Sequence, residues 1–221
     1  AAAIVMALGT IAWAWLSWRY KSARSLAERV RRATLLMEGL GVCISPAEYR
    51  ELRSRCSGAD KDSARLEDPR YYAATGERGN RKLNEMLEES AFWSANLLRL
   101  SAERGWKIFA GLATMSLVVL FGFLPVAGGP ATVSGVRIFC SVMSFLVSAN
   151  VLGAALAYSE AARTVDLIIT RLERAASAGY PRDDLLLILG DYNAAVEGSP
   201  MFAAGLYDKH KDKLARLWRQ R

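Results

Sequence analysis

Residues 108–128 read IFAGLATMSLVVLFGFLPVAG, and residues 138–158 read IFCSVMSFLVSANVLGAALAY. Neither run holds an Asp, Glu, Lys or Arg. A helix rises about 1.5 Å per residue, so each run of this length reaches across a hydrocarbon core of roughly 30 Å. A buried helix of a soluble domain rarely stays free of charge for so long, and the length decides for spans. Working outward, residues 1–18 (AAAIVMALGTIAWAWLSW) form a third charge-free run. It gives roughly 27 Å of helix, just enough to cross. Trp13, Trp15 and Trp18 crowd its C-terminal end, and Arg19, Lys21 and Arg24 follow at once. Trp106 and Lys107 stand before the second run, Pro125 sits in its last turn, and Tyr158 and Glu160 close the third. Aromatic and basic residues collect where a helix leaves the bilayer, so Trp13, Trp15, Trp18, Arg19, Lys21, Trp106, Lys107 and Tyr158 are the expected interface anchors. The predicted fold is all-α: an integral membrane protein with three transmembrane helices and a cytoplasmic helical stalk.

Composition agrees without deciding. The chain is 52% hydrophobic and 23% charged, with mean hydropathy +0.11, close to ordinary soluble values. The distribution carries the information. Eighteen Lys and Arg lie in 19–107, ten in 160–221, and one in the link 129–137. The positive-inside rule puts 19–107 and 159–221 in the cytoplasm and 129–137 outside. Residue 1 is then outside, which predicts a further span upstream, four in all. The net charge of +7 reads as attraction to anionic lipid, with no direct nucleic-acid partner expected.

The cytoplasmic stretches read as helices. After Arg19 the apolar positions Leu26, Val30, Ala33, Met37 and Leu40 recur at spacings of three and four. Ser45-Pro46-Ala47-Glu48 is a capping-box start for a helix over 46–56. The polar segment 57–70 reads as a loop, and its Asp60 and Asp62 lack the further ligands of a calcium site. From Gly79 to about Gly105 a stripe of Leu83, Met86, Leu87, Ser90, Trp93, Leu97 and Leu100 predicts a long helix, antiparallel to 21–41. The third span is expected to run on as helix through Val165, Ile168, Ile169 and Leu172 until Tyr180-Pro181. The run Leu185 to Leu189 is apolar all round and should be buried. Leu206, Leu214, Leu217 and Trp218 mark a basic terminal helix.

No catalytic, cofactor or metal residue emerges, and no enzyme is expected. One His, His210, cannot anchor a metal cluster, and Cys43, Cys56 and Cys140 form no disulfide or zinc pattern. Gly76-Glu77-Arg78-Gly79 lacks the Lys and Ser/Thr of a phosphate loop. Glu85, Glu88 and Glu89 read as solvated partners of Arg81 and Lys82. Within the third run, Ser141, Ser144 and Ser148 share one helical face, and Asn150, Gly153, Ala154 and Ala157 lie roughly opposite. Two readings stand: a pore lining in an oligomer, or ordinary span packing with hydroxyls bonded to their own helix. No run carries a charge of the kind a proton relay needs.

The segment Tyr71-Tyr72-Ala73, Gly79, Arg81-Lys82-Leu83-Asn84-Glu85-Met86-Leu87-Glu88-Glu89-Ser90-Ala91-Phe92-Trp93-Ser94 and Leu97, followed by two spans on a short loop, resembles the SMODS-associated multi-transmembrane effectors of bacterial anti-phage defence, the four-span type included. The tail from Leu206-Tyr207 through Leu214 to Trp218 also resembles them, and about half the chain is covered. The resemblance implies a homo-oligomeric, multi-pass protein of the bacterial inner membrane. Such a pore-forming effector permeabilises or depolarises the membrane when a soluble cytoplasmic sensor or signal activates it. The alternative is a non-conducting scaffold or accessory subunit that docks a soluble partner.

Overall fold

The structure, a computed structural model, describes residues 2–56, 72–118, 121, 134–137, 139–140 and 150–221. The described residues are mostly helical, with no strand among them. In chain order the helices are α1 (Ala2–Thr34), a π-helical turn (Leu35–Leu40), α2 (Pro46–Cys56), α3 (Asn80–Val118), α4 (Val151–Ser177), α5 (Arg182–Gly198) and α6 (Leu206–Arg219). Among the described residues no helix is long and apolar enough to cross a membrane, α1 with the first expected span, 1–18, included. The second expected span is described only to Val118 and at Phe121, and the third only at 139–140 and from Asn150. Most of both lies outside the described residues.

The chain divides into two compact units: Ala1–Glu89 with Arg171–Glu197, and Ser90–Thr170 with Gly198–Arg221. In the first, α1 is held by its arginines. Arg24 donates to the Val196 carbonyl at 2.7 Å, Arg31 to Tyr192 Oη and Asn193 Oδ1 at 3.1 Å each, and Arg32 pairs with Glu197 at 3.0 Å. Gly41, at φ 72°, ends the π-turn in the left-handed region that glycine tolerates. Gly39 packs flat on α3. A Cβ there would lie 3.0 Å from Leu83 Cα, and the Gly39 carbonyl accepts the Gly79 N–H at 2.7 Å. Near the start of α3 the same segment is met again, with Arg78 paired to Glu38 at 3.0 Å, beside the arginine contacts that α1 makes to α5.

Helix α2 starts as its sequence dictates: Ser45 Oγ accepts the Glu48 N–H at 3.1 Å, with Pro46 at the first position. Arg29 ties it to α1 through Glu51 at 3.0 Å. Helix α4 ends where Gly179 and Tyr180 turn to φ 83° and 61°, and Pro181 follows.

In the second unit α3 and α4 run antiparallel. Arg99 reaches Asp166 with two 2.8 Å bonds, and Trp106 Nε1 donates to Ser159 Oγ at 3.4 Å, so partners shift by seven residues in opposite directions. The close approach falls at Gly105, where a Cβ would meet the Ala155 Cβ at 3.0 Å. Helix α6 closes the unit. Leu206 and Leu214 pack with Leu97, Phe92 stacks on Trp218 at 5.3 Å, and Trp93 on Tyr207 at 5.8 Å. The α3 stripe is wider than expected: Asn84, Ala91, Ser94, Ala95, Leu98, Ser101 and Ala102 are buried beside Leu83, Met86, Leu87 and Leu97. Small residues on that face let neighbouring helices come near.

Candidate membrane interface

Apolar side chains that face solvent define the site, and each unit carries its own. In the first unit, side chains are described from Leu8. From there to Tyr20 every residue of α1 is exposed except half-buried Ser17. Leu8, Ile11, Trp13, Trp15, Leu16 and Trp18 are 52–73% exposed. An amphipathic helix of a soluble domain hides one stripe. This one has no hidden stripe, and large apolar residues face every side. The Arg19 guanidinium lies 5.0 Å above the Trp15 ring, a cation–π contact at the border between apolar and basic helix. Lys21 is exposed just beyond.

The second unit has the same border at a second place. Trp106 and Ile108 are 40% and 46% exposed, and Met115, Leu117 and Val118 continue along α3 at 49–63%. On α4, Leu152 and Leu156 are 39% and 51% exposed. Charges stop at Lys107 on α3 and begin at Glu160 on α4. Antiparallel packing, marked by the Trp106–Ser159 bond, brings these two limits to one level. Tyr158, the anchor expected at the end of the third run, donates its hydroxyl to the Met201 carbonyl.

The expected span face fares differently. Ser141, Ser144 and Ser148 lie outside the described residues. Asn150 is a turn residue at φ 48°, and α4 begins after it at Val151. Asn150 thus stands just ahead of α4, and residues 141–149, where the expected helix through 138–158 would enter it, lie outside the described residues. The asparagine accepts the Ala154 N–H at 2.8 Å through its carbonyl, and its side chain folds over Gly153, where any Cβ would collide. Asparagine tolerates the left-handed region better than most residues. The hydroxyls of Ser116 and Ser159 bond the carbonyls four residues back, at 2.8 and 2.9 Å, as serines inside helices often do. Residues 134–137, expected within the external loop, are helical.

Two further expectations need correction. The run Leu185 to Leu189 is not buried all round: Leu185, Ile188 and Leu189 are at most 6% exposed, while Leu186 and Leu187 are 39% and 64% exposed. One helix cannot face a single neighbour on all sides. Glu89, read as solvated, is 9% exposed and accepts the Ala73 N–H at 2.8 Å. Burial pushes its carboxyl above the usual glutamate value, against the opposing effect of that hydrogen bond. Glu85, by contrast, pairs with Arg81 at 2.8 Å as expected.

Sequence reasoning also missed the polar centre of each unit. Arg31 lies 4.9 Å over the Tyr192 ring as well as bonding its hydroxyl, and its Nε has no partner. Glu28 Oε2 sits 2.7 Å from Arg31 Nη2 without hydrogen-bond alignment. Ser101, 1% exposed, accepts the Ala203 N–H at 3.2 Å and donates to Leu97 O at 2.8 Å. No spacing rule marks such residues. Among the described residues no group of His, Cys, Asp and Glu is placed to hold a metal ion. Comparison of the chain with known protein families, curated proteins and solved structures finds no match.

Proposed function

We propose that the chain is an integral membrane protein of the bacterial inner membrane, its charged helices on the cytoplasmic side. The observation that carries this reading is α1. A helix with large apolar residues exposed on every side from Leu8 to Trp18, then immediately basic, has a favourable environment in lipid and an unfavourable one in water. The charge-free runs 108–128 and 138–158 support it from the residue order alone.

Within that reading the function we favour is the one its 71–97 segment resembles: an oligomeric anti-phage effector that permeabilises or depolarises the membrane when a cytoplasmic sensor or signal activates it. A trigger of this kind must bind the leaky state more tightly than the closed one. The wild-type chain should stay with membranes through an alkaline wash. Ile11→Arg should shift it toward the supernatant, since a charge at a span centre costs about 2.5–3.5 kcal/mol. Membrane potential recorded during phage challenge tests the effector role, and an intact potential during growth arrest refutes it. The exposed Leu186 and Leu187 on cytoplasmic α5 favour a second reading, a non-conducting scaffold for a soluble partner. A stoichiometric soluble protein on tagged bait, with no conductance, would select the scaffold.

A further inference from the structure

The second unit has an open groove of about 400 Å³ at the level where its charges begin, lined by Trp106, Leu156, Ala157, Ser159, Glu160 and Arg163. Glu160 and Arg163 stand three apart on α4, so they share a helix face. Opposite charges at that spacing commonly pair. Here neither side chain makes an ion pair or hydrogen bond among the described residues. Further along the same two helices the acid and base do close, Arg99 on Asp166 with two 2.8 Å bonds. The groove thus presents an unused cation, an unused anion and an aromatic ring together, and its Leu156 side opens toward the charge-free half of α4.

We infer that this groove holds the headgroup of a phospholipid carrying both a phosphate and a primary ammonium, the phosphatidylethanolamine class. The inference rests on the bilayer reading above. A guanidinium takes a phosphate through paired N–H donors, which assigns the phosphate to Arg163. A carboxylate takes an ammonium by N–H hydrogen bonds, which assigns the amine to Glu160, with the Trp106 face adding cation–π attraction. Leu156, 51% exposed, then lies along the first acyl methylenes. A choline headgroup has no N–H to give Glu160, and a glycerol headgroup has no cation.

The test uses the full chain, purified in detergent, delipidated and titrated with phosphatidylethanolamine, phosphatidylcholine and phosphatidylglycerol of identical acyl chains, with bound lipid counted by native mass spectrometry. One partly solvated charged hydrogen bond is worth about 1 kcal/mol, so ethanolamine should be preferred over choline by about fivefold. Glu160→Gln should abolish that preference while leaving phospholipid binding, and Arg163→Gln should weaken all three lipids. Both side chains are exposed, so neither change should disturb the fold. Equal binding of ethanolamine and choline lipids, or a preference that survives Glu160→Gln, overturns the headgroup assignment alone. Failure of the wild-type chain to float with vesicles of any of the three compositions overturns the bilayer reading with it.

Discussion

Replacing Gly105 by alanine would place a methyl carbon 3.0 Å from Ala155 Cβ and 3.3 Å from Ala155 Cα. Non-bonded carbons prefer about 3.5–4.0 Å, so α3 and α4 must part by roughly half an ångström at their closest point. Both contacts are to backbone or to the first side-chain atom, and no rotamer change relieves them. Overpacking of this kind costs about 1–3 kcal/mol. Alanine recovers about 1 kcal/mol through helix propensity, leaving a net loss of up to about 2 kcal/mol. The reciprocal change, Ala155→Gly, takes away the methyl that an alanine at 105 would meet and should by itself cost about 1 kcal/mol in propensity. The methyl lost at 155 makes room for the one gained at 105, so the double variant should be more stable than the sum of the singles by about 1 kcal/mol or more. Chemical unfolding of all four proteins in one detergent, followed by circular dichroism, gives the coupling. A coupling below about 0.5 kcal/mol, the ordinary scatter of independent sites, would refute the close approach.

Ser101→Ala should leave the Ala203 N–H without its partner, at about 1–3 kcal/mol, and speed hydrogen exchange at Ala203 and along α6. Arg31→Met removes the donors to Tyr192 Oη and Asn193 Oδ1; α5 amides should lose protection and global stability should fall by about 1–3 kcal/mol. Glu89 carries a pH signature. Its carboxyl is raised by burial in the folded state, so the folded chain holds that proton to higher pH than the unfolded chain. Its stabilising contribution is complete below the ordinary glutamate value and is lost as pH rises through the raised one. Glu89→Gln keeps an acceptor for the Ala73 N–H, so it should flatten this part of the pH–stability profile and raise stability at neutral pH. An unchanged profile would mean that Glu89 is solvated.

Helices announce themselves through local signals, and those here were legible. The Ser45-Pro46-Ala47-Glu48 cap starts α2 with the bond its spacing foretells, and Tyr180-Pro181 stops α4 region with positive φ at Gly179 and Tyr180. Leu83, Met86, Leu87 and Leu97 are buried, as a 3.6-residue period requires. The change from apolar to basic beside Trp13, Trp15, Trp18 and Trp106 was legible as well, since it is written in the order of the residues; the exposure of these rings came from the structure. Partner choice was not. That the arginines of α1 reach α5, that Gly105 meets Ala155, and that Ser101 accepts a distant N–H depend on which faces meet in space.

The residue order alone determined an all-helical chain, its main breaks, and the boundaries between charge-free and basic helix. Those properties come from contacts three or four residues apart and from runs of one polarity. Tertiary structure alone decided that Asn150 turns the chain, that Glu89 is buried, that Leu187 is left outside, and that Glu160 and Arg163 face one open groove. Each depends on atoms distant in sequence, where burial and geometry outweigh local preference.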